Sequence, residues 1–419
     1  MTSRLVSTFL FLLLPGLVTG GAATVQRDGG RASPATANVA IAPFTIHVSD
    51  AVLSDLKQRL ARTRFPDEIP GAGWDYGTDL AYHKGLITYW REKFDWREQE
   101  RRLNQLPQFK TTIDGLDIHF VHQRSKNANA LPLVITHGWP GSFVEFTKII
   151  GPLTDPAAHG GRTEDAFHVV AISLPGFGFS GKPRERGFAP VRMASVIATL
   201  MARLGYSRYG AQGGDWGGNI SRLLGINDAS HVVGVHSNFC NAGPPPGIPD
   251  PNAGVPPAEL ERMRARQAFF ENERGYFLVQ STKPQTVAYG LNDSPAGLAA
   301  WIVEKFRSWC DCEGDVERKF TKDQLLTNIT IYWATETVAS AARIYYENQR
   351  AAAAQGGRVA VPMGCAVFPK ELVLPPRRWV EARDNITRWT EMPRGGHFAA
   401  MEEPELLVDD VRAFFRTLR

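Results

Sequence analysis

Between residues 131 and 224 the chain repeats one pattern three times: a short apolar run, a turn, and a helical stretch. Leu131-Pro-Leu-Val-Ile-Thr136 is followed by helical spacing from Phe143 to about Leu153. His168-Val-Val-Ala-Ile-Ser-Leu174 is followed by Val191 to Leu204, and Arg208-Tyr-Gly-Ala211 by a helix running through Leu223-Leu224. A run that is apolar on both faces is a strand covered on both sides, and strands joined through helices return parallel. The pattern therefore predicts an α/β fold on a mostly parallel, doubly wound sheet. Such a sheet binds ligands outside the carboxyl ends of its strands, which directs attention to the turns that follow them.

The turn after the third run is Gly213-Gly-Asp-Trp-Gly217, a G-x-D-x-G arrangement. In G-x-S-x-G a sharp strand-to-helix turn presents the nucleophile, and the glycines make room for the crowded backbone. Here Asp215 stands where the serine would be. A carboxylate attacks through oxygen without first losing a proton, which suits alkylation of the protein better than acylation. The first amides of the following helix should keep it ionised and help to hold a developing oxyanion.

Three further motifs lie at strand ends. His137-Gly-Trp-Pro-Gly141 follows Thr136, and with Asp215 as nucleophile the oxyanion donors are expected to be the backbone N–H groups of Trp139 and Trp216. Arg394-Gly-Gly-His-Phe-Ala-Ala400 carries His397, the candidate base, which follows a late strand and lies between glycine-rich and small residues. His137 reads as shaping its own loop. The acid that orients the base must lie between the nucleophile and His397. Glu371, just after Val367-Phe-Pro369, is preferred over Glu391, and Glu381 and Asp384 are expected to be solvated. Acid assistance to a leaving oxygen, as in opening an epoxide, calls for a phenol. Tyr276, Tyr289, Tyr332, Tyr345 and Tyr346 are all candidates, and spacing does not choose among them.

The remainder fills in around this core. Phe44-Thr-Ile-His-Val48 reads as a short strand, with Ser49-Asp50 capping a helix that carries Val52, Leu53, Leu56 and Leu60. An aromatic-rich segment from Phe65 to Trp96 reads as a wrap packed on the rest, and Phe109 to Gln123 as a hairpin around Asp114-Gly115. The strand–helix alternation stops at Asn241-Ala-Gly-Pro-Pro-Pro-Gly247. Helix-prone sequence then runs from Pro257 to about Arg350, including Leu298 to Trp309 and Gln324 to Tyr346, where an inserted lid would sit. Val359 to Phe368 and Ile386 to Trp389 return as strands, and a helix from Pro404 to Leu418 closes the chain.

At the N-terminus, Arg4, an apolar run from Leu5 to Val18 and small residues to Ala23 read as an export signal. The apolar run is shorter than the about 20 residues that span a bilayer. Export would place the four cysteines where one disulfide could form. Cys310 and Cys312 are expected to be too close for an easy bridge, and the spacing does not suit zinc. The net charge is only +4, with no basic run interleaved with aromatics, which argues against a nucleic-acid partner. Asn292, Asn328 and Asn385 fit glycosylation sequons, relevant only on a eukaryotic secretory route.

Taken together, His137-Gly-Trp-Pro-Gly-Ser-Phe143, Leu174-Pro-Gly-Phe-Gly-Phe-Ser180, Gly213-Gly-Asp-Trp-Gly217, Ser281-Thr-Lys-Pro284, Leu291-Asn-Asp-Ser-Pro295, Glu304-Lys-Phe306 and Arg394-Gly-Gly-His-Phe-Ala-Ala400 make a specific set. Over roughly residues 42 to 418 the chain resembles the microsomal-type epoxide hydrolases of the α/β-hydrolase superfamily. The resemblance implies an α/β-hydrolase fold with an inserted helical lid and an N-terminal wrapping segment. Its divisions would be a signal peptide at 1–23, an N-terminal domain at 42–125, a core in two parts at 126–240 and 351–419, and a lid at 241–350. It implies Asp215 as nucleophile, His397 as base, Glu371 as its acid, and Tyr276 and Tyr345 as the lid phenols, with Tyr346 adjacent to the second. It implies conversion of an epoxide to a vicinal diol with no metal or organic cofactor. A homodimer is compatible with it, as is membrane association if the N-terminal segment is retained. The rival in the same fold is a haloalkane dehalogenase, for which Trp216 would be the halide-binding residue. A non-catalytic binding protein on a hydrolase scaffold is a further rival, opposed by the filled catalytic positions.

Overall fold

A computed structural model describes residues 40–351 and 356–419. The expected export signal at residues 1–23 lies outside them, as does part of the Gly- and Ala-rich bridge after Arg350. Nine strands form one sheet: β1 (Ala42–Pro43), β2 (Gln108–Ile113), β3 (Leu116–Gln123), β4 (Leu131–Thr136), β5 (Phe167–Ile172), β6 (Tyr209–Gly213), β7 (Val232–Ser237), β8 (Met363–Val367) and β9 (Ile386–Glu391). Their spatial order is β1-β2-β3-β5-β4-β6-β7-β8-β9. The first three strands join antiparallel and everything from β5 to β9 is parallel.

That order reverses direction at β4. The chain steps from β4 outward to β5, then crosses back over β4 to reach β6. Right-handed crossovers taken in opposite directions leave their helices on opposite faces, so the sheet is covered on both sides. This explains why β5 is buried along its whole length and why its sequence shows no alternation. It also opens a crevice between the carboxyl ends of β4 and β6, the switch point where such sheets bind ligands.

Several expectations move when the chain is folded. Phe44–Val48 is not a strand: the sheet pairing is confined to β1, two residues earlier. The N–H groups of Ile46 and Val48 instead donate to the side chains of Asn104 and Glu100, so the extended backbone is satisfied without a ladder. The strand β7 carries no clear signal in sequence, because Gly234 and the buried His236 interrupt its apolar run. Gln324–Tyr346 is two helices, Lys322–Thr335 and Val338–Arg350. The break is at Glu336, whose φ of 52° is left-handed and whose N–H caps the carbonyls of Tyr332 and Trp333.

The wrap is itself helical, with Leu80–Glu92 and Trp96–Leu103 capped by Asp79 and Asp95. Cys310 and Cys312, expected to be too close in sequence for an easy bridge, are bonded. The turn after the helix Pro295–Trp309 brings their Cα atoms to 5.3 Å, inside the usual disulfide range. Cys240 and Cys365 form a second bond, joining the segment after β7 to β8. Asn328 is buried and its amide is engaged within the fold, so the folded chain cannot carry a glycan there. Among the described residues no helix is long and apolar enough to cross a membrane.

Candidate active site

Asp215 begins the helix Asp215–Asn227 directly after β6, with a left-handed φ of 49°. A non-glycine residue rarely takes that conformation, and it persists only where its surroundings enforce it. The enforcement is visible next door. A Cβ on Gly217 would fall 2.0 Å from the Thr136 carbonyl oxygen, so only glycine lets this helix approach β4 so closely. A Cβ on Gly138 would fall 1.9 Å from Asp215 Oδ1, so the His137–Gly141 loop lies directly against the carboxylate.

The two carboxylate oxygens have different neighbours. Oδ1 accepts the Trp139 N–H at 2.8 Å, and Oδ2 lies 3.4 Å from His397 Nε2. Trp216 is the second residue of the helix, so its N–H has no intrahelical acceptor. On the far side of the imidazole, Nδ1 meets Glu371 Oε1 at 2.5 Å, and that oxygen also accepts the Leu372 N–H. The three side chains thus form a line from carboxylate to imidazole to carboxylate. Burial acts against a charge on His397, yet the two carboxylates outweigh it and hold its pKa well above the ordinary value.

Of the five candidate tyrosines, the fold brings two to the carboxylate. Tyr276 and Tyr345 line one cavity with Asp215, their rings 5.8 Å apart and edge-on. Tyr276 lies flat against Trp139 at 5.0 Å, and Tyr345 stands edge-on to Trp216 at 4.8 Å. The Tyr345 hydroxyl is buried beside the Tyr276 phenol and the Trp216 indole, so both phenols converge on the cavity that Asp215 lines. Burial first, and the charge of Asp215 with it, raises both phenols well above their usual pKa, so they remain protonated donors. Tyr346 lies under the guanidinium of Arg350, Tyr289 is on the surface, and Tyr332 donates to the carbonyl of Gly141. Of the two adjacent tyrosines, Tyr345 is the one that lines the cavity with Asp215.

Glu381 pairs near the surface with Arg377. Asp384, expected to be solvated, is fully buried, because two guanidinium groups, Arg222 and Arg383, close on it. Glu391 is held by Arg262. His137 turns away from the carboxylate, with Nδ1 against its neighbour's carbonyl and Nε2 against the Leu174 N–H.

Two residues at the site carry no sequence signal of their own. Glu402 accepts the N–H groups of Gly396, Phe398 and Asp311, tying down the loop that carries His397. Glu145 lies eight residues after His137 and faces a small cavity of about 20 Å³ that Asp215 and His397 also line. Burial, reinforced by Asp215 and opposed by His397, pushes its carboxyl up to about 8. A cavity of that size has room for one water molecule.

The arrangement can therefore form a covalent bond at Asp215, donate hydrogen bonds to an oxygen leaving on the tyrosine side, and deliver a water from the histidine side. Residues 41–146 match the epoxide hydrolase N terminus family, and residues 132–287 match the alpha/beta hydrolase fold family. Epoxide hydrolase 1 of Sus scrofa is 41% identical, covering 93% of this chain and 92% of that protein. The crystal structure of juvenile hormone epoxide hydrolase from Bombyx mori superposes with a TM-score of 0.85 at 33% identity, covering 91% of this chain and 96% of the other. The structure of Aspergillus niger epoxide hydrolase gives 0.82 at 33% identity, covering 92% and 98%.

Proposed function

The chain belongs to the epoxide hydrolase family, and from that premise we propose that it converts an epoxide to a vicinal diol through an ester formed on Asp215. The observation that carries this reading is the placement of Asp215 between a His–Glu pair on one side and two phenols on the other. A haloalkane dehalogenase has no use for two protonated phenols facing the nucleophile.

The epoxide oxygen accepts hydrogen bonds from Tyr276 and Tyr345. Oδ2, the oxygen not held by the Trp139 amide, attacks a ring carbon. The carbon–oxygen bond breaks, and a phenol proton passes to the departing oxygen. Esterification removes the negative charge of Asp215, and with it one of the two charges that hold His397 protonated. His397 then loses its extra proton, which restores the proton given up by the tyrosines, and becomes a base oriented by Glu371. It takes a proton from the water in the cavity beside Glu145. The resulting hydroxide adds to the ester carbonyl carbon, with the oxyanion on the amides of Trp139 and Trp216. Collapse expels the diol and returns Asp215 and the imidazolium.

Oxygen tracing tests the route. Unlabelled enzyme in heavy-oxygen water, limited to one turnover, is expected to release diol without the label and to gain one heavy oxygen in the Asp215 peptide. Label found in the diol from the first turnover, and never in that peptide over many, would overturn it.

Glu145 supports the water, being close to neutral at pH 7 and so able both to donate and to accept. Its raised pKa has a consequence for stability. Between its ordinary value near 4.5 and about 8, the unfolded chain has released this proton while the folded chain retains it. The folded state binds more protons, so stability falls as pH rises through that window. Glu145→Gln is expected to remove this contribution, giving a fall in melting temperature from pH 5 to pH 8 that is smaller by a few degrees. An unchanged difference between those two pH values would show that the carboxyl titrates normally.

An exported location is also proposed. The Cys240–Cys365 bond favours an oxidising compartment, in keeping with the N-terminal sequence.

A further inference from the structure

The cavity that opens from Asp215 encloses about 350 Å³, and much of its wall is aromatic, with Phe239, Phe270 and Phe277 beside the two tyrosines. Its wall also includes Arg222 and Arg383. Neither guanidinium has a part in the reaction described above.

Their position follows from the nucleophile's own helix. Asp215, Gly218, Asn219 and Arg222 all line this cavity. Those positions are spaced i, i+3, i+4 and i+7, which is one face of an α-helix. The helix is therefore the floor of the cavity for two turns, and seven residues advance it about 10 Å. The nucleophile stands at one end of that floor and Arg222 at the other.

The charge at the far end is not balanced. Arg222 Nε donates to both oxygens of Asp384, and Arg383 Nε donates to Asp384 Oδ2 at 2.7 Å. Two guanidinium groups share one carboxylate, which leaves a net positive charge. Arg222 is nearly enclosed, with its side chain 8% exposed, whereas that of Arg383 is 34% exposed. Among the described residues the two Nη groups of Arg383 have no acceptor, and burial bears on this side chain, lowering its pKa. A guanidinium offers a planar fork of donors that fits a carboxylate.

We propose that Arg383, braced by Asp384 and Arg222, is a subsite for a carboxylate on the substrate. The substrate class would be an epoxide on an aliphatic chain that ends in a carboxylate, with the chain running along the helix floor from Asp215 toward Arg383. The aromatic wall receives the chain between the two ends. This rests on the epoxide-opening reading and assigns the other end of the same site.

The test compares three epoxides of equal length, ending in a carboxylate, its methyl ester or a methyl group. For the unaltered enzyme, kcat/KM for the carboxylate is expected to exceed that for the ester by about 10-fold or more, chiefly through KM, as for a contact made equally in ground and transition states. Added salt should shrink that ratio, because the subsite is partly open to solvent. In Arg383→Gln the ratio should fall toward one, and in Arg383→Lys it should fall part of the way. A ratio at or below one in the unaltered enzyme overturns the proposal, as does a ratio that Arg383→Gln leaves unchanged. Should Arg383→Gln not fold, a ratio insensitive to salt overturns it. If no epoxide of the three yields a diol, the reaction assigned above fails instead.

Discussion

His397→Gln enzyme exposed to an epoxide is expected to gain the mass of one substrate molecule and then stop. The reason lies in the division of labour around Asp215. Attack on the epoxide uses Oδ2 and the phenols of Tyr276 and Tyr345, none of which glutamine removes. Hydrolysis of the ester needs a base on the opposite side, and His397 Nε2 is the basic atom that lies 3.4 Å from Oδ2. Glutamine has no titratable nitrogen, so the water in the cavity keeps its proton. Steady-state diol formation should fall on the order of 10⁴-fold, the scale set by loss of a base that works as one unit with its nucleophile. Intact-mass measurement should show one adduct per chain, located in the Asp215 peptide and absent when Asp215→Ala is added. A His397→Gln enzyme that turns over within about tenfold of the unaltered rate would remove His397 from the hydrolytic step.

The second large effect belongs to the first half of the reaction. Replacing Tyr276 and Tyr345 together by phenylalanine removes two oxygens and leaves both rings in place. The stacking of residue 276 on Trp139 and the edge contact of residue 345 with Trp216 need only the rings. Opening an epoxide without a donor leaves an alkoxide in a site sheltered from water, and general-acid help of this kind is worth about 10²–10⁴ in rate. Each single variant should retain part of it, because the other phenol faces the same cavity. The double variant should lose most of it, read as the rate of adduct formation in the His397→Gln background. That background isolates alkylation from ester hydrolysis. An alkylation rate unchanged in the double variant would mean that the leaving oxygen lies elsewhere.

Sequence and fold contribute different kinds of information here. Asp215 is legible in the sequence because a glycine-spaced turn after an apolar run has few other uses, and the geometry at Gly217 shows why those glycines are needed. Glu371 is legible because a strand ends just before it. The order β5-β4-β6 follows from no local pattern, although it puts the Trp139 loop against Asp215. Asp384 shows the limit of reading acids by local context. Its burial depends on Arg222, 162 residues away in the chain, and nothing around residue 384 announces that partner. Glu145 is hidden for a similar reason, since its altered acidity comes from the enclosure that Asp215 and His397 share with it. The tyrosines show both cases: spacing leaves five, the resemblance to a family leaves a pair, and the fold puts Tyr345 in the cavity with Asp215 and its neighbour Tyr346 against Arg350.

One set of contacts has a bearing on how such proteins diversify. The lid helix Lys322–Thr335 holds the loop after β4 by three hydrogen bonds: Asn328 Nδ2 to the Pro140 carbonyl, Ser142 Oγ to Asn328 Oδ1, and Tyr332 Oη to the Gly141 carbonyl. That loop supplies the Trp139 amide to the nucleophile. Lid and loop are thus one hydrogen-bonded unit, although 186 positions separate Ser142 from Asn328. Recombination that imports a foreign lid to change substrate range would separate the two unless residues 138–142 travel with it, so natural variation in this region is expected to be paired across that gap.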